Sequence, residues 1–195
     1  MYGPKIVIAA DLELRPPHLN EAGAFVKWFQ DPEVTCYLAS DFHAPKLEEE
    51  KDFFRKRRED QGRYFWLIAE LGTNKAIGSV ELKLGKPENK TARLGIVIAD
   101  KSKWNKGYGR EVVMTLIDFA FIRLGINRLE LSCVSVNTRA LKCYSQCGFV
   151  EEGRKRQAFF IKGGVREGVT FNDGFYDEII MSLISSDLNI IELKD

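Results

Sequence analysis

The chain has 195 residues, 45% of them hydrophobic and 29% charged, with a formal net charge of +1. That length and apolar content suffice for one compact domain, expected to span 1–195. The near-zero charge excludes the global field that holds a protein on nucleic acid or an anionic membrane, so partners must be sought at local sites.

The four cysteines, Cys36, Cys133, Cys143 and Cys147, lack paired zinc-ligand spacing, and the two histidines, His18 and His43, stand far from them in sequence. No metal is therefore expected, and the cysteines read as small buried or half-buried thiols. No cationic, apolar leader stands before the first strand-like segment, which with the unpaired cysteines points to a reduced, cytoplasmic protein. No apolar run reaches the roughly 18 residues of a membrane span. The longest, over 112–124, is interrupted by Asp118 and Arg123.

In chain order, KIVIAADLELRP alternates apolar and polar steps up to Pro16 and Pro17 and predicts an edge strand. Asn20 is placed to cap a helix carrying Ala22, Phe25, Val26 and Phe29, which Asp31-Pro32 breaks. A second, charged helix is predicted over 45–60, with Leu47, Phe53 and Phe54 as its apolar stripe. YFWLIAEL, AIGSVELKL and TARLGIVIAD follow with short turns between them, the signature of an antiparallel meander.

A long helix is expected over 109–124, stopped by Gly125, then a strand in RLELSCVSVN and a short helix over 138–147 ended by Gly148. Strands are predicted over 149–160 and in FYDEIIMSLI, with the Gly-rich segment 163–174 as a loop between them. The order β-α-α-β-β-β-α-β-α-β-β describes an α+β fold with a mixed sheet and helices on its faces.

The segment TARLGIVIADKSKWNKGYGREVV places a strand, a turn with Gly107 and Gly109, and a helix start in immediate succession. The first amides of a helix have no internal partner and sit at the positive end of its dipole, so phosphate oxygens can satisfy them. Glycine lets the backbone approach such a ligand, and Lys106 and Arg110 add positive charge. The dinucleotide fingerprint fits less well, because Val112 stands where its third glycine would be, and a P-loop's Gly-Lys-Ser/Thr is absent. A purely structural turn accounts for this fragment equally well when it is taken alone.

Downstream, VSVNTRALKCYSQCGF ends a strand at Asn137 and sets Ala140 and Tyr144 four residues apart on the next helix. Asn137 can cap that helix and Tyr144 can be a core tyrosine; each residue has a structural explanation beside a functional one.

Together, WNKGYGREVV and VNTRALKCYSQCGF resemble the coenzyme A loop and the fourth motif of the GNAT superfamily of N-acetyltransferases, in its RimJ/RimL-like branch, which includes ribosomal-protein alanine and spermidine N-acetyltransferases. The resemblance extends to LELRPPHLNEAGAFVKWFQDPEV at the start and to EEGRKRQAFF and DGFYDEIIMSLI at the end. It implies a mostly antiparallel twisted sheet with a V-shaped splay between two parallel strands and helices on both faces. It also implies acetyl-coenzyme A as co-substrate and an amine as acceptor, with a homo-oligomer left open.

By the same resemblance, pantetheine lies along Val97, Ile98 and Ala99, and the pyrophosphate meets Trp104, Asn105, Lys106, Gly107, Tyr108, Gly109 and Arg110. Asn137 hydrogen-bonds pantetheine, and Tyr144 is the general acid for the departing thiolate. Two features depart from the superfamily pattern: Trp104 replaces a common Gln or Arg, as in the RimJ/RimL-like branch, and IKGGVREGVTFN looks like an insertion.

The base stays unassigned. Glu81 reads either as a cleft carboxylate or as the solvent side of a strand, and Ser132 stands where related N-terminal acetyltransferases have a glutamate. Arg154, Lys155, Arg156, Lys162 and Arg166 would repel a polyamine and accept a phosphorylated amino sugar, whereas Asp31, Glu33, Glu48, Glu49 and Glu50 would do the reverse. Both runs also read as solvated surface. A non-catalytic acyl-coenzyme A sensor is the alternative to an enzyme.

Overall fold

The computed structural model describes residues 1–8, 11–38, 45–162, 164–166 and 169–188. An eight-stranded sheet runs β1 (Ile6–Ile8), β2 (Leu12–Arg15), β3 (Arg63–Glu70), β4 (Ala76–Leu84), β5 (Thr91–Ile98), β6 (Arg128–Val134), β10 (Gly174–Ile184), β7 (Val150–Ile161). All pairs are antiparallel except β5 with β6. The helices are α1 (Ala22–Phe29), α2 (Pro32–Thr35), α3 (Leu47–Glu59), α4 (Tyr108–Asp118) and α5 (Thr138–Gln146).

The expected α+β class and the meander β3-β4-β5 are both present. Three local expectations need correction. The opening segment is not one edge strand but a hairpin, with Ile6 opposite Leu14 and Ile8 opposite Leu12. Asn20 does not cap α1. It lies inside a 3₁₀ turn, Leu19–Glu21, where the Glu21 carboxylate accepts the His18 amide at 2.8 Å. Within the expected loop 163–174, β8 (Gly164–Arg166) and β9 (Val169–Phe171) pair as a second small sheet, while Gly163 lies outside the described residues.

Asp31-Pro32 both ends α1 and starts α2, because the Asp31 carboxylate accepts the Glu33 amide at 2.9 Å and proline suits a first helical position. The α4 helix continues as a wide π turn, Phe119–Arg123, and the left-handed Gly125, at φ +62°, stops it.

Alternation of side chains divides the sheet into two faces. On one, Leu94 of β5, Leu131 and Cys133 of β6 and Ile179 of β10 share a core with Val113 and Leu116 of α4 and Tyr144 of α5. Val112, Val113, Leu116 and Ile117 are buried there, each contributing about 1.5–3 kcal/mol by the usual transfer scale. On the other face, Phe65 and Leu67 of β3 pack with Phe25 of α1 and Phe54 of α3. The Phe25 and Phe54 rings meet edge to face at 4.8 Å.

The parallel pair is short. β5 and β6 are in register at Thr91 with Arg128, Ala92 with Leu129 and Arg93 with Glu130, and then pairing ceases although β5 runs on to Ile98 and β6 to Val134. The sheet therefore forks between these strands. Each strand keeps its other neighbour, β4 or β10, so the fork leaves one unpaired backbone edge on either side.

Candidate active site

The β5 wall of the fork leads directly into the glycine-containing turn. Ser79 pairs with Val97 across β4, and the Ala99 amide donates to the Ile77 carbonyl at 2.8 Å. By the alternation of an antiparallel ladder, the backbone of Val97 and Ala99 is turned to β4 and that of Ile98 to the fork. Consistent with that, the Ile98 carbonyl accepts the Trp104 indole N–H at 2.7 Å.

Asp100 then turns the chain. Its carboxylate accepts the Ser102 amide at 3.0 Å and pairs with Lys75 at 2.8 Å. These contacts hold its carboxyl down at about 2, chiefly through the Lys75 and Ser102 side-chain bonds.

Asn105, at φ +59°, and Gly107, at φ +86°, take left-handed conformations that swing the backbone round to the mouth of α4. The Arg110 and Glu111 amides bond back to the Gly107 carbonyl at 2.9 and 3.1 Å. Among the described residues, nothing accepts a hydrogen bond from the amides of Asn105, Lys106, Gly107, Tyr108 or Gly109. A Cβ at Gly107 would meet nothing within 4 Å, so its positive φ and the space before it belong to an open cradle rather than to packing. Lys106 and Arg110 are exposed beside it. Unpaired amides, a helix N-terminus and two cations suit a diphosphate.

The β6 wall ends at the α5 cap. The Asn137 side-chain carbonyl accepts the Ala140 amide at 3.2 Å, the structural role expected for it, which leaves the side-chain NH2 for other partners. Tyr144, only 9% exposed, packs edge to face on Phe149 at 6.2 Å. Its hydroxyl has no partner among the described residues. Burial, with the neighbouring Cys133 sulfur, pushes its pKa above the ordinary phenol value, so it stays protonated. Burial likewise pushes the Cys133 thiol up to about 12.

Several contributors carry no signal of their own in the sequence. The Arg139 guanidinium stacks 4.0 Å over the Trp104 ring and ties the two motifs together. Ile77 anchors the end of β5 through its carbonyl, which accepts both the Ala99 and Asp100 amides. Asp100 could have been found, since an Asp two residues before a Ser after a strand is a turn signature.

The charge runs lie mostly on the surface, as the solvated reading expected, with local partners. Asp31 and Glu33 both bind Lys101. Glu48 pairs with Lys51, Glu49 accepts the Lys46 amide, and Glu50 is buried. Arg154 pairs with Asp177 and Glu151, and Lys155 with Glu178. The Arg166 side chain and His43 lie outside the described residues. Among the described residues, no group of histidine, cysteine, aspartate and glutamate could hold a metal ion, and no helix is long and apolar enough to cross a membrane.

The site is thus a fork in a mixed sheet, with unpaired amides at one mouth and a buried phenol on the other wall. The chain belongs to the acetyltransferase (GNAT) domain family, whose profile matches residues 11–150. The uncharacterized N-acetyltransferase p20 of Bacillus licheniformis is 29% identical over 157 residues, 78% of this chain and 86% of the relative. Spermidine N(1)-acetyltransferase of Vibrio cholerae is 29% identical over 144 residues, covering 74% and 76%.

Among solved structures, spermidine N-acetyltransferase from Vibrio cholerae in complex with CoA and spermine has a TM-score of 0.77 at 23% identity, over 90% of this chain and 96% of that one. The RimL ribosomal-protein acetyltransferase in complex with coenzyme A has a TM-score of 0.76 at 19% identity, over 93% and 98%. These structural likenesses establish the fold.

Proposed function

We propose that this chain, as a single domain over 1–195, transfers the acetyl group of acetyl-coenzyme A to a primary amine, either a protein N-terminal α-amine or a small-molecule amine. The observation that carries the reading is the run of unpartnered amides at Asn105, Lys106, Gly107, Tyr108 and Gly109, opening beside a fork in the sheet. Their donors, with Lys106 and Arg110, suit the pyrophosphate, and Trp104 fixes the loop to β5.

Pantetheine would extend along Val97, Ile98 and Ala99, bonding through Ile98, whose peptide faces the fork. The Asn137 side-chain NH2 would meet it from the other wall. An N–H on the unpaired β5 edge is suited to the carbonyl oxygen as charge develops there. Tyr144 would act as the general acid towards sulfur. Full transfer from a phenol of raised pKa to a thiolate of ordinary pKa about 8.5 is uphill, so its contribution lies in donating to sulfur as the C–S bond breaks.

Coenzyme A bound to the neighbouring enzymes supports this choice of co-substrate. Four free cysteines suit a reduced, cytoplasmic setting. Local sites rather than a charged surface leave acetyl-coenzyme A and the amine as the partners, without nucleic acid or membrane.

The test is to incubate the protein with acetyl-coenzyme A and a panel of amines and to follow free thiol. Acceptor-dependent thiol release is expected. Tight coenzyme binding with no release across peptides, polyamines and amino sugars would instead identify a sensor.

A further inference from the structure

The acetyl-transfer reading leaves the acceptor's proton without a destination, and the face of the sheet away from α4 holds a buried carboxylate close to the fork. Because Leu94 of β5, Leu131 of β6 and Ile179 of β10 face the α4 core, Arg93, Gly95, Ser132 and Glu178 face the opposite side. Arg93 and Glu130 are the last pair before the fork, so two residues further on Gly95 and Ser132 stand across the opening from each other.

Gly95 leaves a bare strip there. A Cβ on it would lie 3.4 Å from Glu81 Cγ and 3.7 Å from Glu81 Oε1, which puts Glu81 on one side of the strip and Ser132 on the other. The Ser132 hydroxyl accepts a hydrogen bond from Arg93 Nη2, and the same nitrogen meets the Glu178 carboxylate at 3.5 Å, so one guanidinium holds hydroxyl and carboxylate side by side. A hydroxyl that accepts from a guanidinium keeps its own proton to donate towards the carboxylate beside it.

Glu178 is 7% exposed. It meets Lys155 Nζ at 2.8 Å from β7 and Arg93 Nη2 at 3.5 Å from β5. Burial pushes its pKa up, but the bonds from Lys155 and Ser132 and the charges of Lys155 and Arg93 outweigh it, so the carboxyl lies below its ordinary value and is ionised at neutral pH. Glu81 is likewise held between two cations, Arg63 and Arg57, and differs in lying on the β4 side of the strip, away from Ser132.

We propose that the acceptor amine sits over Gly95 and loses its proton through Ser132 to Glu178. The inference rests on the acetyl-transfer reading. The amine nitrogen attacks the thioester carbonyl and a C–N bond forms. Its proton passes to Ser132 Oγ while the Ser132 hydroxyl proton passes to Glu178. The C–S bond breaks with the Tyr144 hydroxyl donating a hydrogen bond to sulfur. Glu178 then gives its proton through solvent to the thiolate, so amine and acetyl-coenzyme A become amide and free thiol with nothing left over. Ser132 is the catalytic residue of this route, and Glu178 acts through it.

The test measures kcat, with an amine the wild type acetylates, for Glu178→Gln, Ser132→Ala, their double variant and Glu178→Asp, alongside acetyl-coenzyme A affinity by calorimetry. Glu178→Gln and Ser132→Ala should each lower kcat roughly 100-fold at pH 7, the scale of lost general-base catalysis. The double variant should lose no more than either, and Glu178→Asp should recover part of the loss. Affinity for acetyl-coenzyme A should stay within about twofold, as neither group touches the carrier.

Between pH 6 and 9 the wild-type kcat should be flat, and that of Glu178→Gln should climb as solvent takes over. Gly95→Ala, whose new Cβ the fold can accept, should raise the amine KM alone. Full kcat in Ser132→Ala, losses that multiply in the double variant, or loss in Glu81→Gln with none in Glu178→Gln would each overturn the route. Wild-type protein that fails to bind acetyl-coenzyme A would sink the acetyl-transfer reading itself, a separate result.

Discussion

The Trp104 indole N–H donates to the Ile98 carbonyl at 2.7 Å, joining the phosphate-facing turn to the last residue of β5 at the fork. The same ring lies under the Arg139 guanidinium at 4.0 Å, so one side chain links β5, the turn and α5. Trp104→Phe keeps the stacking surface and removes the bond. Coenzyme A affinity should fall about tenfold, with a stability loss of about 1 kcal/mol, typical of one hydrogen bond. Calorimetric titration and urea denaturation read the two effects separately, and an unchanged affinity would show that the turn holds its shape without this tie.

Gly107 combines φ +86° with open space ahead of it. Gly107→Val should cost about 1–2 kcal/mol for the left-handed backbone and abolish measurable coenzyme A binding. Gly107→Asn tolerates that conformation better, so it should keep the melting temperature and still bind weakly, because its side chain enters the phosphate space. Retained affinity in the folded Asn variant would place the diphosphate elsewhere.

Tyr144→Phe removes a hydroxyl that no described residue bonds. The ring's packing on Phe149 survives, so the melting temperature and acetyl-coenzyme A affinity should hold while kcat falls roughly 100-fold. Unchanged kcat in steady-state thiol-release assays would remove Tyr144 from the chemistry.

Asp100 links turn geometry to acid stability. Its carboxyl is depressed to about 2, so its stabilising effect is present above the unfolded value near 3.9 and is lost as pH falls through 2. Lys75 is 63% exposed, so solvent screening keeps the contribution small. Asp100→Asn, which can still cap the turn, should be less stable than wild type at pH 6, and the two denaturation curves should converge towards pH 2. A constant gap across that window would mean that the ion pair contributes nothing.

Much of the architecture was legible because it depends on local periodicity. Val112, Val113, Leu116 and Ile117 recur at helical spacing and line the buried face of α4. Gly125 and Gly148 end their helices with positive φ, as their positions in the sequence suggested. The errors arose where pairing overrode local pattern. The alternation from Ile6 to Leu14 reads continuously, yet the chain folds back and pairs Ile6 with Leu14. Residues 164–171 read as loop because a three-residue strand has too few steps to show a period, and β8 and β9 are defined by their mutual bonds.

The residues of the site divide in the same way. Gly107, Gly109 and Asn137 stood out in the sequence because a turn and a cap each restrict which amino acids can occupy them. Arg139 over Trp104, and Glu178 beside Ser132 and Arg93, did not, because each contact joins residues from different elements.

By itself the sequence determined the longer elements, the glycine turn, the Asn137 cap and the glycine stops, since propensity, capping and steric limits act over a few residues. Tertiary structure decided that β10 enters between β6 and β7, that β5 and β6 part after Arg93 and Glu130, and which side chains face each other across that fork. Those outcomes depend on long-range strand pairing and on packing against α4 and α5, energies that no local stretch of chain carries.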